Sequence, residues 1–270
     1  MDIKPTPIYP NKQIMDQKKY NIELCKGTGL IQETLLLISQ YELGITKHEM
    51  TKKAIESNVL VKASDRRIKD IVEVAFYKRF VNDDPNVPVN LHDLLNHFSS
   101  IDVISQLFLI YTSRANAVLM DFIIHIYWTE VNNGSRILDF NLARKFISET
   151  IKYTDFIKGW SETTQKRVAS YLIATLVDFR LLDKQRNIQS VFMHEITANY
   201  LAHELHFKGL SDDAVIDADE WKLFGYSKLD TIKHLERISF QGHFILQNSG
   251  EIVKINWNYK NMGEFTHAIR

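Results

Sequence analysis

Basic and hydroxyl side chains share one face of the segment that runs from Ser161 to Phe179. At helical spacing, Thr163, Lys166, Arg167 and Ser170 lie together on that face. The opposite face carries an apolar stripe made of Val168, Leu172, Thr175, Leu176 and Phe179. A helix of this kind can bury its apolar side and leave its cations free to bind phosphate groups. For one such helix alone, an ordinary solvated surface is the more frequent explanation.

A hairpin is predicted directly after this helix, over Arg180–Gln189. A helix followed by a hairpin is the layout of a winged helix. In that layout Lys184 and Arg186 would act from the wing. The sequence therefore predicts a winged-helix-like unit whose helix and wing are both basic.

A helix is also predicted over Phe140–Tyr153, before the basic helix, and a second segment has the same plan of a short helix, a turn and a longer helix. Helices are predicted at Lys47–Ser57 and Asp65–Phe80, and the second of them carries Arg66, Arg67 and Lys69 near its start. Helix-turn-helix units place the N-terminal part of their second helix in the major groove of DNA, where basic side chains are useful. This segment is therefore a second candidate for DNA binding.

A third segment of this type lies near the C-terminus. Helices are predicted over Glu220–Phe224 and Lys228–Ser239, and a β-hairpin over Phe244–Trp257 around the turn Asn248–Gly250. The cations of the second helix alternate with Asp and Glu. We interpret this unit as a structural or protein-contact module.

Charge is balanced over the whole chain but not locally. The 270 residues have a formal net charge of zero, with 45% hydrophobic and 24% charged residues, as in ordinary globular proteins. Thr46–Phe80 and Asn141–Gln189 each hold nine Lys or Arg against five Asp or Glu, whereas Ser190–Ser239 holds five against nine. Two basic blocks are therefore offset by an acidic one.

The single cysteine, Cys25, excludes an intramolecular disulfide framework and a cysteine-based zinc finger. The N-terminus shows no pattern of a signal sequence, so we expect a cytoplasmic protein. The most apolar stretch, Ile101–Trp128, is interrupted by Asp102, Gln106, Arg114, Asp121 and His125. Its uninterrupted apolar runs are shorter than the roughly 20 residues that a membrane span requires, so we expect core helices and no membrane contact.

Helical periodicity and the distribution of proline predict a mainly α fold, a multi-helix bundle with helix-turn-helix or winged-helix-like units and small β-hairpins. All five prolines precede residue 89. They mark an extended tail at 1–19 and a boundary near Pro85 and Pro88. We expect units at 20–84, 89–210 and 211–270. Thr46 and Glu49 are predicted to form a capping box.

The sequence carries no complete catalytic motif of the kinds considered below. His194-Glu195 and His203-Glu204 lie on one predicted helix with His206, but the spacing is one residue short of a metalloprotease motif. Solvated helix histidines are the simpler explanation. Lys26–Gly29 lacks the length and ending of a phosphate-binding loop, and Cys25 has no catalytic motif around it. We expect no catalytic residue, no cofactor and no metal.

Several motifs together resemble the BrxA family of BREX bacteriophage-exclusion systems, a family long labelled an inner-membrane protein of unknown function. The resemblance spans about Tyr20 to Leu210. It is carried by Gly29–Leu37, Asn58–Leu60, Ser64–Lys69, Phe108–Asn116, Asp121-Phe122 and Trp160–Arg167 through Leu181-Leu182. It implies a helical, non-enzymatic protein that acts beside the methyltransferase, ATPase and phosphatase-like components of a phage-defence system. It also implies DNA binding, and it supplies no catalytic residues.

Our leading hypothesis is a module that binds double-stranded DNA. The residues expected to contact phosphates or groove edges are Arg66, Arg67, Lys69, Thr163, Lys166, Arg167, Lys184 and Arg186. A competing hypothesis is an assembly protein that binds other BREX components through the acidic block Ser190–Ser239 or the terminal hairpin, without touching nucleic acid. An RNA-binding helical bundle is a third possibility. The sequence leaves the oligomeric state open.

Overall fold

The computed structural model describes residues 20–61, 63–151, 159–250 and 252–269. The chain is mainly helical, and a small antiparallel β-hairpin lies near its C-terminus. Both features were predicted from the sequence. The expected tail at 1–19 and the predicted end of one helix at Tyr153 lie outside the described residues. The buried hydrophobic side chains from all parts of the chain form one continuous cluster.

The N-terminal part begins with a 3-10 turn and continues with three helices. Their bounds are Glu23–Lys26 for the turn, Ile31–Gln40 for α1, Lys47–Glu56 for α2, and Asp65–Lys69 continuing as a π-helix over Asp70–Val81 for α3. The predicted capping box is confirmed, because the Glu49 amide donates to the Thr46 hydroxyl at 3.3 Å and the Thr46 amide donates to the Glu49 carboxylate at 2.9 Å. Asn58 ends α2 with a left-handed φ of 49°.

The described residues in the middle of the chain form five helices. They are α4 at Val87–His97, α5 at Ile101–Ala115, α6 at Ala117–Phe122 with Ile123–Tyr127 as a π-helix and Trp128–Asn132, α7 at Phe140–Thr150, and α8 at Glu162–Asp178. The apolar pattern of the sequence predicts a helix over Leu91–Phe98, but α4 begins four residues earlier, since its proline lies in the first turn, where no amide donor is needed.

Helix α5 is buried over Val103–Ser113, whereas α6 has buried residues only between Val118 and Tyr127. Among the described residues, no single helix is both long and apolar enough to cross a membrane. Helices α5 and α6 have the length and apolar composition of a membrane span only when they are taken together. Their axes, however, are bent by 114° relative to each other.

The C-terminal part packs helices around the hairpin. The elements are α9 at Glu195–Phe207, α10 at Asp212–Ile216, α11 at Asp219–Lys222, α12 at Lys228–Ser239, β1 at Phe244–Asn248, β2 at Val253–Trp257, and α13 at Met262–Ala268. The strands pair with Phe244 opposite Trp257 and Asn248 opposite Val253. The short helices α10 and α13 were not predicted, because one or two turns give too little periodicity to recognise.

A buried ion network joins the middle of the chain to the C-terminal part. Arg114 of α5 donates to both carboxylate oxygens of Glu204 at 2.8 Å and to Glu220 at 2.7 Å. Tyr111 and Lys208 also bind the Glu204 carboxylate, at 3.0 and 2.9 Å. Burial alone would raise the pKa of Glu204, but Arg114 and Lys208 outweigh it and hold the pKa below its usual value.

An aromatic cluster surrounds His203 of α9. The imidazole stacks on Phe265 at a centroid distance of 3.9 Å and meets Trp257 edge-on at 4.9 Å. Its Nδ1 lies 2.8 Å from the carbonyl oxygen of Asn199. Burial lowers the pKa of His203 to about 4. The expectation of a solvated histidine is therefore wrong at this position, where the ring is a core side chain that holds α13 and the hairpin on α9.

Replacing Arg114 with methionine should destabilise the protein by about 3–5 kcal/mol, because the carboxylates of Glu204 and Glu220 would both lose the guanidinium that compensates their burial. Thermal unfolding measures the change. Lys208→Met is the matched control, since Lys208 contacts the same carboxylate from a more exposed position, and we expect about 1 kcal/mol. Equal losses in the two variants would contradict a dominant role for Arg114.

Stability should fall as the pH is lowered from 7 towards 4. The unfolded imidazole of His203 takes up a proton below about 6.5 while the folded one stays neutral down to about 4, so acid favours the unfolded state in that window. The loss from this residue is about 3 kcal/mol. Urea unfolding across this pH range should give a shallower pH dependence for His203→Gln than for the native protein. An unchanged pH dependence would exclude His203 as the cause.

Candidate nucleic-acid interface

Three short extended segments pair beside α7 and α8. Leu182 and Ile188 form an antiparallel bridge, and Asn187 forms another with Ile137, which precedes α7. The Leu138 amide donates to the Arg186 carbonyl at 3.0 Å, and the Ile188 amide donates to the Arg136 carbonyl at 2.9 Å. The hairpin expected over Arg180–Gln189 therefore consists of isolated bridges, and we call this segment the wing.

The carboxylate of Asp183 fixes the tip of the wing. It accepts hydrogen bonds from the Gln185 amide at 2.8 Å, the Asn187 amide at 2.8 Å and the Asn187 side-chain amide at 2.7 Å. These bonds, led by the Asn187 side chain, hold the pKa of Asp183 below its usual value. Lys184 is exposed and Arg186 half-buried at this ordered turn.

Helix α8 presents the face that the sequence predicts. Ser161 caps its start by accepting the Thr164 amide at 3.2 Å. Thr163, Lys166, Arg167 and Ser170 are exposed. The apolar stripe faces the core, with Val168, Leu172, Thr175, Leu176 and Phe179 buried.

A groove of about 170 Å³ separates α7 from α8. We call it the basic groove, and it is lined by Asn141, Arg144, Lys145, Ser148, Glu162, Gln165 and Lys166. Arg144 and Lys145 were not among the predicted contact residues, although both are exposed and lie in the same basic block of sequence. The spacing of α7 could have revealed them, since Ala143, Phe146 and Ile147 form its buried side.

Glu162 partly neutralises the basic groove. Its carboxylate lies 2.7 Å from the Lys166 ammonium one helical turn away. The hydrogen bond from Lys166, together with the charges of Lys166 and Arg144, holds the pKa of Glu162 below its usual value. Because this pair is exposed, a competing phosphate can replace the carboxylate easily.

The three residues of α3 that were predicted to contact DNA differ in their surroundings. Arg66 and Lys69 are exposed. Arg67 is half-buried, and its guanidinium donates to the carbonyl of Lys26. Arg79, farther along the same helix, is buried and donates to the carbonyls of Gly27 and Thr28. Arg67 and Arg79 thus hold the loop before α1.

The same loop is attached to the C-terminal end of α8. Asp178 accepts the Gly29 amide at 2.8 Å and a hydrogen bond from the Thr28 hydroxyl. Lys166 precedes Asp178 by twelve residues, which is about 18 Å along a helix. The structure therefore ties α3 to the end of α8 that lies away from Lys166 and Arg167, and it does not bring Arg67 to the basic groove.

Much of the acidic block is paired inside the C-terminal part. Asp213 lies 2.6 Å from Lys228, Asp219 lies 2.7 Å from Lys222, and Glu195 pairs with Arg237. Glu204 and Glu220 are used by Arg114. The excess of acids in the sequence therefore does not translate into an equal excess of free carboxylates on the surface.

No metal centre is formed by the histidines of α9. His203 is enclosed by aromatic rings, and His206 stacks on Trp257 at 4.4 Å. Within the described ranges, no group of three or more His, Cys, Asp or Glu side chains could hold a metal ion. A cavity of about 530 Å³ lies beside the wing, between the start of α5 and the segment before α9.

Comparison with known proteins gives a family and a similar fold. A family model described as BrxA matches residues 18–204. Among curated proteins none matches. A solved structure, an uncharacterized protein from Magnetospirillum magneticum, is similar with a TM-score of 0.54 and 15% sequence identity, and the match covers 70% of this chain and 95% of that one. At this identity the likeness concerns the fold alone.

Proposed function

Because this chain belongs to the BrxA family, we propose that it is a non-enzymatic, double-stranded DNA-binding component of a BREX phage-defence system, acting in the cytoplasm. The observation that carries the proposal is the exposed basic face of α8, which adjoins further cations of α7 across the basic groove. This surface combines exposed cationic side chains from two neighbouring helices.

The order of elements supports a winged-helix arrangement. Helix α6 is followed by the extended segment at Ile137, then by α7, α8 and the two extended segments of the wing. In helix-turn-helix proteins the second helix lies in the major groove. On this proposal Thr163, Lys166 and Arg167 of α8 meet base edges and phosphates there.

Cations around α8 would contact the DNA backbone. Arg144 and Lys145 would bind phosphates from α7, and Lys184 would bind from the wing, since phosphate contacts position a protein on the duplex. Arg66 and Lys69 are exposed on α3 and would serve a separate stretch of backbone. Arg67 is excluded from this set in our proposal, because its guanidinium is used to hold the Lys26 carbonyl.

A specific observation favours the alternative of an assembly protein. Phe192 and Phe240 are 82% and 92% exposed, and large exposed aromatic side chains are typical of protein interfaces. Gln241, which directly follows Phe240, donates a hydrogen bond to Glu195, three residues after Phe192. Co-purification of BREX components that survives nuclease treatment but is lost in Phe192→Ser/Phe240→Ser would support this role, which does not exclude DNA binding.

Binding to a duplex of random sequence should weaken steeply with salt. About five neutralised phosphates predict a log affinity that falls with log salt at a slope of about −4 to −5. Fluorescence anisotropy of a labelled duplex across a salt series measures the slope. A complex that is insensitive to salt would contradict the proposed interface, and stronger binding of structured RNA in competition would favour an RNA-binding protein.

Reversing both cations of α8 in Lys166→Glu/Arg167→Glu should weaken duplex binding on the order of 100-fold, because two phosphate contacts become repulsive. Both side chains are exposed, so Tm should stay nearly unchanged. The matched control is Lys254→Glu/Lys260→Glu, which makes the same charge change at exposed positions of the C-terminal part. Equal losses of affinity in the two double variants would mean that net charge, not α8, determines binding.

A further inference from the structure

The tip of the wing places an arginine at a backbone position that favours glycine. Arg186 has a φ of 68°, in the left-handed region where a side chain with a Cβ atom is strained. Turns of this kind usually use Gly or Asn there. Arginine at this position has a backbone cost that glycine would avoid, so its side chain must contribute something that offsets the cost.

The backbone that carries Arg186 is held from both sides. Asp183 binds three donors of the turn, and the Arg186 carbonyl accepts the Leu138 amide at 3.0 Å. A lysine or arginine that merely neutralises a phosphate needs no such fixed backbone, since its long side chain adapts. A fixed support is typical of a side chain that must enter a defined space.

The backbone of Arg186 is bonded to the segment that leads into the basic groove. Leu138, which binds Arg186, directly precedes Asp139, and Asp139 caps the start of α7 by accepting the Asn141 amide at 2.9 Å. Asn141 in turn lines the basic groove. A duplex held by α8 and the basic groove would therefore extend past Arg186.

The charge of Arg186 is available for a ligand. Over the described part of the chain, Arg186 has no ion-pair partner. The other left-handed arginine, Arg180 with a φ of 64°, differs in this respect, because its Nε lies 3.7 Å from the Asp102 carboxylate.

We propose that the Arg186 guanidinium enters the minor groove of an A·T-rich segment next to the major-groove site of α8. This inference rests on the proposed function and adds a preference for DNA sequence. The minor groove is about 6 Å wide, and A-tracts narrow it further and strengthen its negative potential. A planar, weakly hydrated guanidinium suits that space better than an ammonium group.

Three duplexes of equal length test the proposal with the full chain. They share a central segment and differ in flanks made of A·T pairs, G·C pairs, or inosine·C pairs, which lack the amino group that G·C places in the minor groove. We expect the native protein to bind the A·T and inosine·C duplexes about 5–10-fold more tightly than the G·C duplex. Arg186→Lys should keep the salt slope and lose most of this preference.

Arg186→Gly separates function from stability. We expect Tm to rise by about 2 °C, because glycine relieves the left-handed φ, while the flank preference disappears. Arg180→Gly is the matched control, since it relieves the same strain at a position with a carboxylate partner and should keep the preference.

The experiment distinguishes failure of the role of Arg186 from failure of DNA binding itself. A flank preference that survives in Arg186→Gly, or a native protein that binds all three duplexes equally, would overturn the role of Arg186 and leave DNA binding intact. A preference for A·T that is absent for inosine·C would place the readout in the major groove and also overturn it. Absence of binding to any duplex would refute both the inference and the proposed function.

Discussion

The burial of Arg114 is the constraint on which the arrangement of the helices depends. A buried guanidinium without partners would be very costly, so the carboxylates of Glu204 and Glu220 must reach it together. Two turns earlier on α5, Gln106 binds the Phe192 carbonyl at 2.8 Å and the His194 amide at 2.9 Å. Helix α5 therefore holds α9 at its start and near its end, which fixes the C-terminal part against the middle of the chain.

Polar side chains also bind backbone groups that are distant in sequence, and these contacts hold the wing and the N-terminal part in place. The Tyr127 hydroxyl lies 3.2 Å from the Leu181 carbonyl and 3.3 Å from the Gln189 carbonyl, so α6 holds the base of the wing. At the C-terminal end of α8, a Cβ on Gly29 would lie 2.5 Å from the Cβ of Asp178, so only glycine allows this approach. The Lys26–Gly29 sequence, which superficially resembles a phosphate-binding loop, is thus explained by packing.

The sequence was informative where the cause of a feature is local. Periodicity located α8 and its apolar stripe, and the Thr46–Glu49 capping box follows from residues three positions apart. Arg67 could not be assigned in this way, because its partner is a carbonyl 41 residues earlier in the chain. The burial of His203 likewise depends on Phe265 and Trp257, which only the folded chain brings to it.

Internal pairing of charges limits what the proposed interface can do alone. Arg67, Arg79 and Arg114 are used to hold the fold, and Lys166 is partly neutralised by Glu162, so these four cations contribute little free charge to the interface. A footprint of about five phosphates gives an affinity that physiological salt reduces strongly. On the proposed function, tight attachment to DNA therefore requires a second contact, and the exposed Phe192 and Phe240 offer one through a partner protein. Linking two weak contacts raises the overall affinity by effective concentration, so DNA binding and assembly would act together in one component.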